Sequence, residues 1–247
     1  MSIRTERTGA VAQVVLDAPP VNALTVQGWF ELADTLIALG RDPMVHVVVL
    51  RADGRGFCAG VDIKEMQRAE GFDALLGANR GCAAAFAAVY DCEVPVVAAV
   101  HGFCLGGGIG LVGNADVLIC ADDASFGLPE VDRGALGAAT HLARLVPPAR
   151  LKALVYSCER VTAQQLAQWG SAWQVVPVDQ LVDTAMAFAE SLAAKSNAVL
   201  RAAKASLNQI DPVDVKRSYR AEQGFTYELN LAGEGDRARD AFVKDGA

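Results

Sequence analysis

Two apolar runs, each followed by a glycine-rich turn, constrain the fold of this chain more than any other feature. The runs lie at residues 45–50 and 94–100, and a third apolar run without such a turn lies at 116–121. Continuous apolar runs of this length are typical of strands that are buried on both faces of a parallel sheet. Because apolar residues at helical spacing occur over 26–40 and 75–90, the pattern predicts an α/β protein.

The last part of the chain has a different pattern. After residue 147, strand signals nearly vanish apart from a short run at 173–176, and helical patterns replace them. These patterns cover residues 147–157, 163–169, 178–195, 198–208 and 213–231. We therefore divide the chain into an α/β core, 1–190, and a helical C-terminal region, 191–247. No linker or low-complexity segment separates the two parts, so we expect them to pack together.

Composition and charge exclude several classes of protein. The 247 residues carry a net charge of −7, which argues against nucleic acid as the main partner. We expect neither a membrane span nor a signal peptide, and hence a cytoplasmic protein, because the chain has no apolar stretch of the necessary length. Six cysteines without C-x-x-C spacing predict reduced, mostly buried thiols, and with only three histidines no metal site is expected.

The two glycine-rich turns, at 55–62 and 101–108, each lie between a predicted strand and a predicted helix start. Glycine allows a ligand to approach main-chain N–H groups, and a helix N-terminus leaves such groups unpaired. Two such turns on neighbouring strands could direct two N–H groups at one oxygen, as an oxyanion hole does. Two structural turns without a ligand are the alternative. A G-x-G-x-x-G match at 108–113 also suggests a dinucleotide site, but it does not directly follow its strand and is the weaker interpretation.

In order and spacing, several segments resemble the crotonase, or enoyl-CoA hydratase/isomerase, superfamily over nearly the whole chain. They are residues 20–24, 56–66, 98–108, 126–130, 161–163, 203–204 and 241–242. The resemblance implies a spiral of β-β-α units with a helical C-terminal region that forms trimers, often paired into hexamers. It also implies an acyl-CoA thioester substrate and no cofactor other than the coenzyme A that the substrate carries.

The resemblance also assigns site residues. The backbone N–H groups of Val61 and Gly107 would form the oxyanion hole for the thioester oxygen, and Glu130 would be the catalytic acid/base. A desolvated pocket would raise the pKa of Glu130 toward neutrality. The positions that match coenzyme A-binding segments are Ala23, Ala59, Asp62 and Lys64.

The chain departs from the family's hydratases at one catalytic position. Their usual second glutamate falls on Gly110, and a carboxylate that some relatives use falls on Ala138. Because hydration benefits from two positioned groups, the missing glutamate disfavours an ordinary hydratase. We also expect Gly110 to enlarge the acyl pocket, with Asp132 and His141 as further candidates for its lining.

Double-bond isomerisation and hydrolytic C–C cleavage of a β-keto thioester both need only one carboxylate beside an oxyanion hole. Residues 60–68, 78–82, 134–142 and 222–230 resemble the ring-opening CoA hydrolases of actinobacterial steroid degradation. This resemblance implies retro-Claisen opening of a cyclic β-keto acyl-CoA, with the thioester enolate as the departing carbanion. An enoyl-CoA hydratase or isomerase of fatty-acid β-oxidation and a non-catalytic acyl-CoA-binding protein are the alternatives.

Overall fold

A computed structural model describes residues 2–68 and 71–244 of the chain as alternating strands and helices. The strands are β1 (Ile3–Thr8), β2 (Val11–Leu16), β3 (Ala23–Leu24), β4 (Val47–Ala52), β5 (Gly60–Val61), β6 (Val96–Val100), β7 (Phe103–Leu105), β8 (Val117–Ala121), β9 (Ser125–Gly127), β10 (Val161–Thr162) and β11 (Gln174–Val176). The helices are α1 (Val26–Arg41), α2 (Ile63–Arg68), α3 (Asp73–Tyr90), α4 (Gly107–Val112), α5 (Ala139–Leu142), α6 (Pro148–Ser157), α7 (Ala163–Gln168), α8 (Leu181–Ala193), α9 (Asn197–Ile210), α10 (Val215–Leu231) and α11 (Glu234–Lys244). Single 3₁₀ turns lie at Val131–Arg133 and Val178–Gln180.

The main sheet has six strands in the order β1-β2-β4-β6-β8-β11. Strand β1 pairs antiparallel with β2, and every other pair in the sheet is parallel. The predicted parallel sheet is therefore confirmed, with one antiparallel edge strand that the sequence analysis did not identify.

The long strands β2, β4, β6 and β8 are each followed by a short strand outside the main sheet and then by a helix. Strand β3 pairs in parallel with β5, while β7, β9 and β10 form a separate three-stranded sheet. The following helices are α1, the pair α2 and α3, α4, and α5. These are four β-β-α units, and the predicted organisation is confirmed.

Both faces of the main sheet are covered, which explains the continuous apolar runs. In β4, Val48 and Leu50 belong to the core that includes α1 and α3, whereas Val47 and Val49 face α8 on the other side. Alternate residues of a strand point to opposite faces, so a strand covered on both faces needs apolar residues throughout.

The helical C-terminal region follows the sheet directly. Helix α8 packs on the sheet through Leu181, Ala185 and Ala189, and residue 190 lies inside it. The division into parts 1–190 and 191–247 stays a prediction. Within residues 2–68 and 71–244, every helix is too short or too polar to cross a membrane.

Candidate active site

The two glycine-rich turns lie against each other at the ends of neighbouring strands. Leu105 N–H donates to the carbonyl of Cys58 over 2.8 Å, which joins the turn after β4 to the turn after β6. Gly60 has a φ of 93°, and a Cβ at this position would lie only 3.1 Å from the backbone nitrogen of Gly107. Close contact between the turns therefore requires glycine at position 60.

Both expected oxyanion-hole donors lie at this contact. Gly107 is the first residue of α4, so its N–H has no acceptor within the helix. Val61 directly follows Gly60 and is held in β5 by parallel pairing with Leu24. The backbone thus places the two donors on adjacent turns, as the oxyanion hypothesis requires. Their binding of a thioester oxygen stays a prediction.

The carboxyl group of Glu130 reaches the same contact from a third segment. Gly106 N–H donates to the carbonyl of Gly127 over 3.1 Å, which fastens the end of β9 to the second turn. Three residues after Gly127, the Oε1 atom of Glu130 lies 2.7 Å from where a Cβ of Gly106 would be. A side chain at position 106 would therefore displace the carboxyl group, and its absence leaves Glu130 beside Gly107.

Burial controls the protonation of Glu130. Its Oε2 atom is buried and has no hydrogen-bond partner in the described part of the chain. Desolvation, with a smaller contribution from the charge of Glu222, raises the pKa of Glu130 to about 8. Its own backbone N–H and Arg133 act in the opposite direction. The predicted rise toward neutrality is confirmed, and the group can carry a proton at neutral pH.

Glu130 lines a cavity of about 220 Å³. The rest of the lining is largely apolar and comes from the 128–139 segment that follows β9, from α6 and from α10. It consists of Leu128, Val131, Leu136, Gly137, Ala139, Val155, Tyr156 and Glu222. A desolvated acid/base beside two backbone donors can move a proton while a carbonyl oxygen becomes negative, the arrangement that enolate chemistry needs.

The predicted coenzyme A-binding residues lie together around the β3–β5 pair. Ala23 is in β3, and the N–H of Ala59 donates to Val21 O over 3.2 Å. Asp62 Oδ1 accepts from the N–H groups of Lys64 at 2.9 Å and Glu65 at 3.3 Å, so Asp62 caps α2. Lys64 itself is exposed. Their contact with coenzyme A stays a prediction.

The expectation that Gly110 enlarges the acyl pocket is wrong. Gly110 is buried in α4, and a Cβ there would overlap the ring of Phe86 from α3. The ring of Phe86 therefore fills the space that a side chain at position 110 would use. The sequence shows that the second glutamate is missing, but it does not indicate that the ring of Phe86 occupies the space beside Gly110.

The structure does not bring the two other candidates for the acyl pocket to Glu130. Asp132 is exposed in the turn Val131–Arg133. His141 is buried among aromatic rings, with ring centroids 4.9 Å from Phe86 and 5.1 Å from Tyr219. Burial lowers the pKa of His141 to about 3, and it lines a different cavity of about 240 Å³. Neither residue lines the cavity of Glu130.

Sequence reasoning did not single out Glu222, which lines the same cavity as Glu130. The segment 222–230 carries part of the resemblance, yet no spacing rule relates α10 to the turn after β9. All six cysteines lie in the described part of the chain, and five of them are buried, which agrees with the prediction of mostly buried thiols. Among the described residues, no group of His, Cys, Asp and Glu side chains is placed to hold a metal ion.

Comparisons with known proteins show which family the chain resembles. The family model for enoyl-CoA hydratase/isomerase matches residues 6–244. The chain is 64% identical over 236 residues, 96% of this chain and 92% of the relative, to the (7aS)-7a-methyl-1,5-dioxo-2,3,5,6,7,7a-hexahydro-1H-indene-carboxyl-CoA hydrolase of Rhodococcus jostii. It is 59% identical over 240 residues, 97% of each chain, to the protein of the same name from Mycobacterium tuberculosis.

A solved structure extends the agreement to the fold. The crystal structure of an enoyl-CoA hydratase/isomerase from Xanthobacter autotrophicus matches with a TM-score of 0.89 and 28% sequence identity, and the match covers 99% of this chain and 92% of that one. The chain therefore belongs to the enoyl-CoA hydratase/isomerase family.

Proposed function

We propose that this protein hydrolyses a C–C bond in a bicyclic keto acyl-CoA of steroid breakdown and so opens a ring. The observation that carries the proposal is the desolvated carboxyl group of Glu130 beside the contact between the two glycine turns. The two similar hydrolases, named for an indene-carboxyl-CoA, support the choice of substrate class. The reaction needs one proton carrier and one oxyanion hole, which this site can supply.

The substrate in the relatives' name is suited to this cleavage. The name places ketones at carbons 1 and 5 and a methyl group at carbon 7a, and leaves one ring double bond, between carbons 3a and 4. Breaking the bond from carbon 1 to carbon 7a leaves an electron pair next to that double bond. We infer that the carboxyl-CoA group is conjugated with the double bond, so that the charge reaches the thioester oxygen.

Each step of the proposed reaction has a group to perform it. Glu130 removes a proton from water while the water oxygen bonds to the ketone carbon. The ring bond then breaks, and its electron pair becomes the enolate that the N–H groups of Val61 and Gly107 stabilise. Glu130 returns the proton to the ring carbon, and the former ketone carbon becomes a carboxylic acid that stays attached to the CoA thioester through the rest of the opened ring. One water is consumed and no redox step occurs.

The absence of a second carboxylate at position 110 favours this reaction over hydration. The ring of Phe86 fills the space at Gly110, so the hydratase pair is reduced to Glu130. Losing one positioned acid/base costs about 10²–10⁴-fold in rate.

The test uses H₂¹⁸O and two thioesters, crotonyl-CoA and a bicyclic diketone CoA that matches the relatives' name. We expect a ring-opened product that retains coenzyme A and carries ¹⁸O in a new carboxylate, detected by mass spectrometry. Rapid hydration of crotonyl-CoA with the bicyclic compound untouched would return the protein to the hydratases. Release of free coenzyme A would show that the thioester is the bond that is cleaved.

Coenzyme A recognition is proposed for Lys64, which projects from α2 beside the two turns and is exposed. We expect Lys64→Ala to raise KM about 10- to 100-fold with little change in kcat, because a charge-assisted hydrogen bond to a phosphate contributes about 1.5–3 kcal/mol. Lys195→Ala, another exposed lysine, is the control and should leave KM unchanged. Equal KM values in the two variants would contradict the assignment.

A trimer or hexamer is proposed as the working assembly. Large apolar side chains are exposed on α9 and α10, among them Leu207, Ile210 and Phe225, with Ile210 72% exposed. Exposed apolar groups on neighbouring helices are typical of subunit interfaces. Sedimentation equilibrium should give three or six times the chain mass of 25.9 kDa, and a monomer at micromolar concentration would contradict the proposal.

A further inference from the structure

One face of α10 is tied to the segment that follows Glu130. Both carboxylate oxygens of Glu222 accept backbone N–H groups, from Ala139 and Thr140, at 2.9 Å each. One turn later, Thr226 Oγ1 accepts from Leu136 N–H over 3.0 Å. The segment that forms one wall of the cavity is therefore fixed to α10 by hydrogen bonds.

Glu130 and Glu222 share the cavity of about 220 Å³ but have opposite surroundings. Both oxygens of Glu222 act as acceptors, the role of a carboxylate. Glu130 has a buried Oε2 without a partner among the described residues. In active sites, two carboxyl groups in such different surroundings often take different roles: one stays ionised and the other transfers the proton.

The other titratable groups that face Glu130 do not substitute for this charge. Cys82 on α3 and Tyr219 on α10 lie near it, but burial raises the pKa of both well above their usual values, so they are neutral at physiological pH. The positive charge of Arg133, from the turn after Glu130, lowers the pKa of Glu130 and so opposes the effect of Glu222. Glu222 is thus the anion that faces Glu130 within the described residues.

We propose that Glu222 is a positioning residue whose fixed negative charge makes Glu130 a stronger base toward water. Its negative charge would compensate electrostatically for the second carboxylate that this chain lacks at position 110. This proposal rests on the proposed function, in which Glu130 must take a proton from water, a very weak acid. A nearby like charge disfavours the ionised form of a carboxyl group and so increases its affinity for a proton.

The first test is the pH–rate profile of Glu222→Gln, which keeps the side-chain shape, removes the charge and leaves one of the two backbone N–H groups without its acceptor. We expect the rising limb of kcat/KM to move to lower pH by about one unit, and the plateau to fall, because Glu130 becomes a weaker base. Glu228→Gln makes the same charge change on an exposed position of α10 and should keep the wild-type profile. Glu222→Asp retains the charge and should keep the limb in place even if its shorter side chain lowers the rate.

The second test needs no substrate, so it stands apart from the ring-opening proposal. ¹³C NMR titration of glutamate carboxyl groups follows Glu130 directly, with Glu130→Gln identifying its resonance. The midpoint should drop by about one unit in Glu222→Gln and stay near the wild-type value in Glu222→Asp. An unchanged midpoint in Glu222→Gln overturns the proposal. So does an equal drop in Glu222→Asp, and Glu222→Ala, which also removes the charge, takes the place of Glu222→Gln if that variant does not fold.

Discussion

Glu130→Gln should lower kcat by about 10²–10⁴-fold, the usual contribution of a positioned acid/base. Glutamine matches the shape of Glu130 but cannot exchange a proton, and no other carboxyl group in the described cavity has an unpartnered oxygen. The fold and the affinity for the CoA portion should persist, because Lys64 and the β3–β5 pair are untouched. Turnover of the bicyclic thioester by mass spectrometry and binding of coenzyme A by calorimetry measure the two effects separately. Near-wild-type turnover would remove Glu130 from the mechanism.

The same variant should be more stable than the wild type in alkaline solution. The pKa of Glu130 rises from its ordinary value of 4.5 to about 8 on folding. A raised pKa contributes stability that is fully present below pH 4.5 and is lost as pH rises through 8. The wild type should therefore lose a few kcal/mol across this window that Glu130→Gln does not lose. Melting curves at pH 5 and pH 9 measure the difference, and Glu228→Gln is the charge-matched control. Parallel stability profiles for the wild type and Glu130→Gln would show that burial does not control this group.

The sequence predicted the parts of the fold that depend on long local patterns. The helix expected over 26–40 is Val26–Arg41, and the strand expected over 94–100 is Val96–Val100. The two turns could be predicted to meet because the ends of neighbouring parallel strands share one edge of a sheet. Short strands such as β3 and β5 were missed, since two residues carry no periodicity. Strand β1 was missed because it is a mostly exposed edge strand with charged residues.

The candidate site was predictable only where one motif contains the chemistry. Glu130 and the two turns follow from the family resemblance, and burial of Glu130 follows from the acid/base role that the resemblance implies. The partners of these groups come from elsewhere in the chain. Phe86 meets Gly110 from α3, and Glu222 meets the 139–140 segment from α10, both through tertiary packing that no sequence spacing encodes.

The packing between Phe86 and Gly110 predicts a large effect on the stability of the protein. Phe86 is 2% exposed and contacts the rings of Trp29, His141 and Tyr219, so Phe86→Ala should cost about 3–5 kcal/mol of unfolding free energy. Gly110→Ala should also destabilise, by about 1–3 kcal/mol, because its methyl group would overlap the Phe86 ring. In the double variant the methyl group enters the space that the ring has left. The combined loss should therefore be about 1–3 kcal/mol smaller than the sum, measured by urea unfolding.

Gly224→Ala is the matched control for this cycle. Gly224 also lies within a helix, α10, but a Cβ there meets open space. Alanine at this position should stabilise the protein by up to about 1 kcal/mol and should add to Phe86→Ala without coupling. A Gly110→Ala variant that is stabilised like Gly224→Ala, with an effect additive to that of Phe86→Ala, would instead mean that position 110 is open, as the sequence first suggested. An open position could accept a glutamate and restore the hydratase pair, whereas a coupled one requires Phe86 to be replaced first.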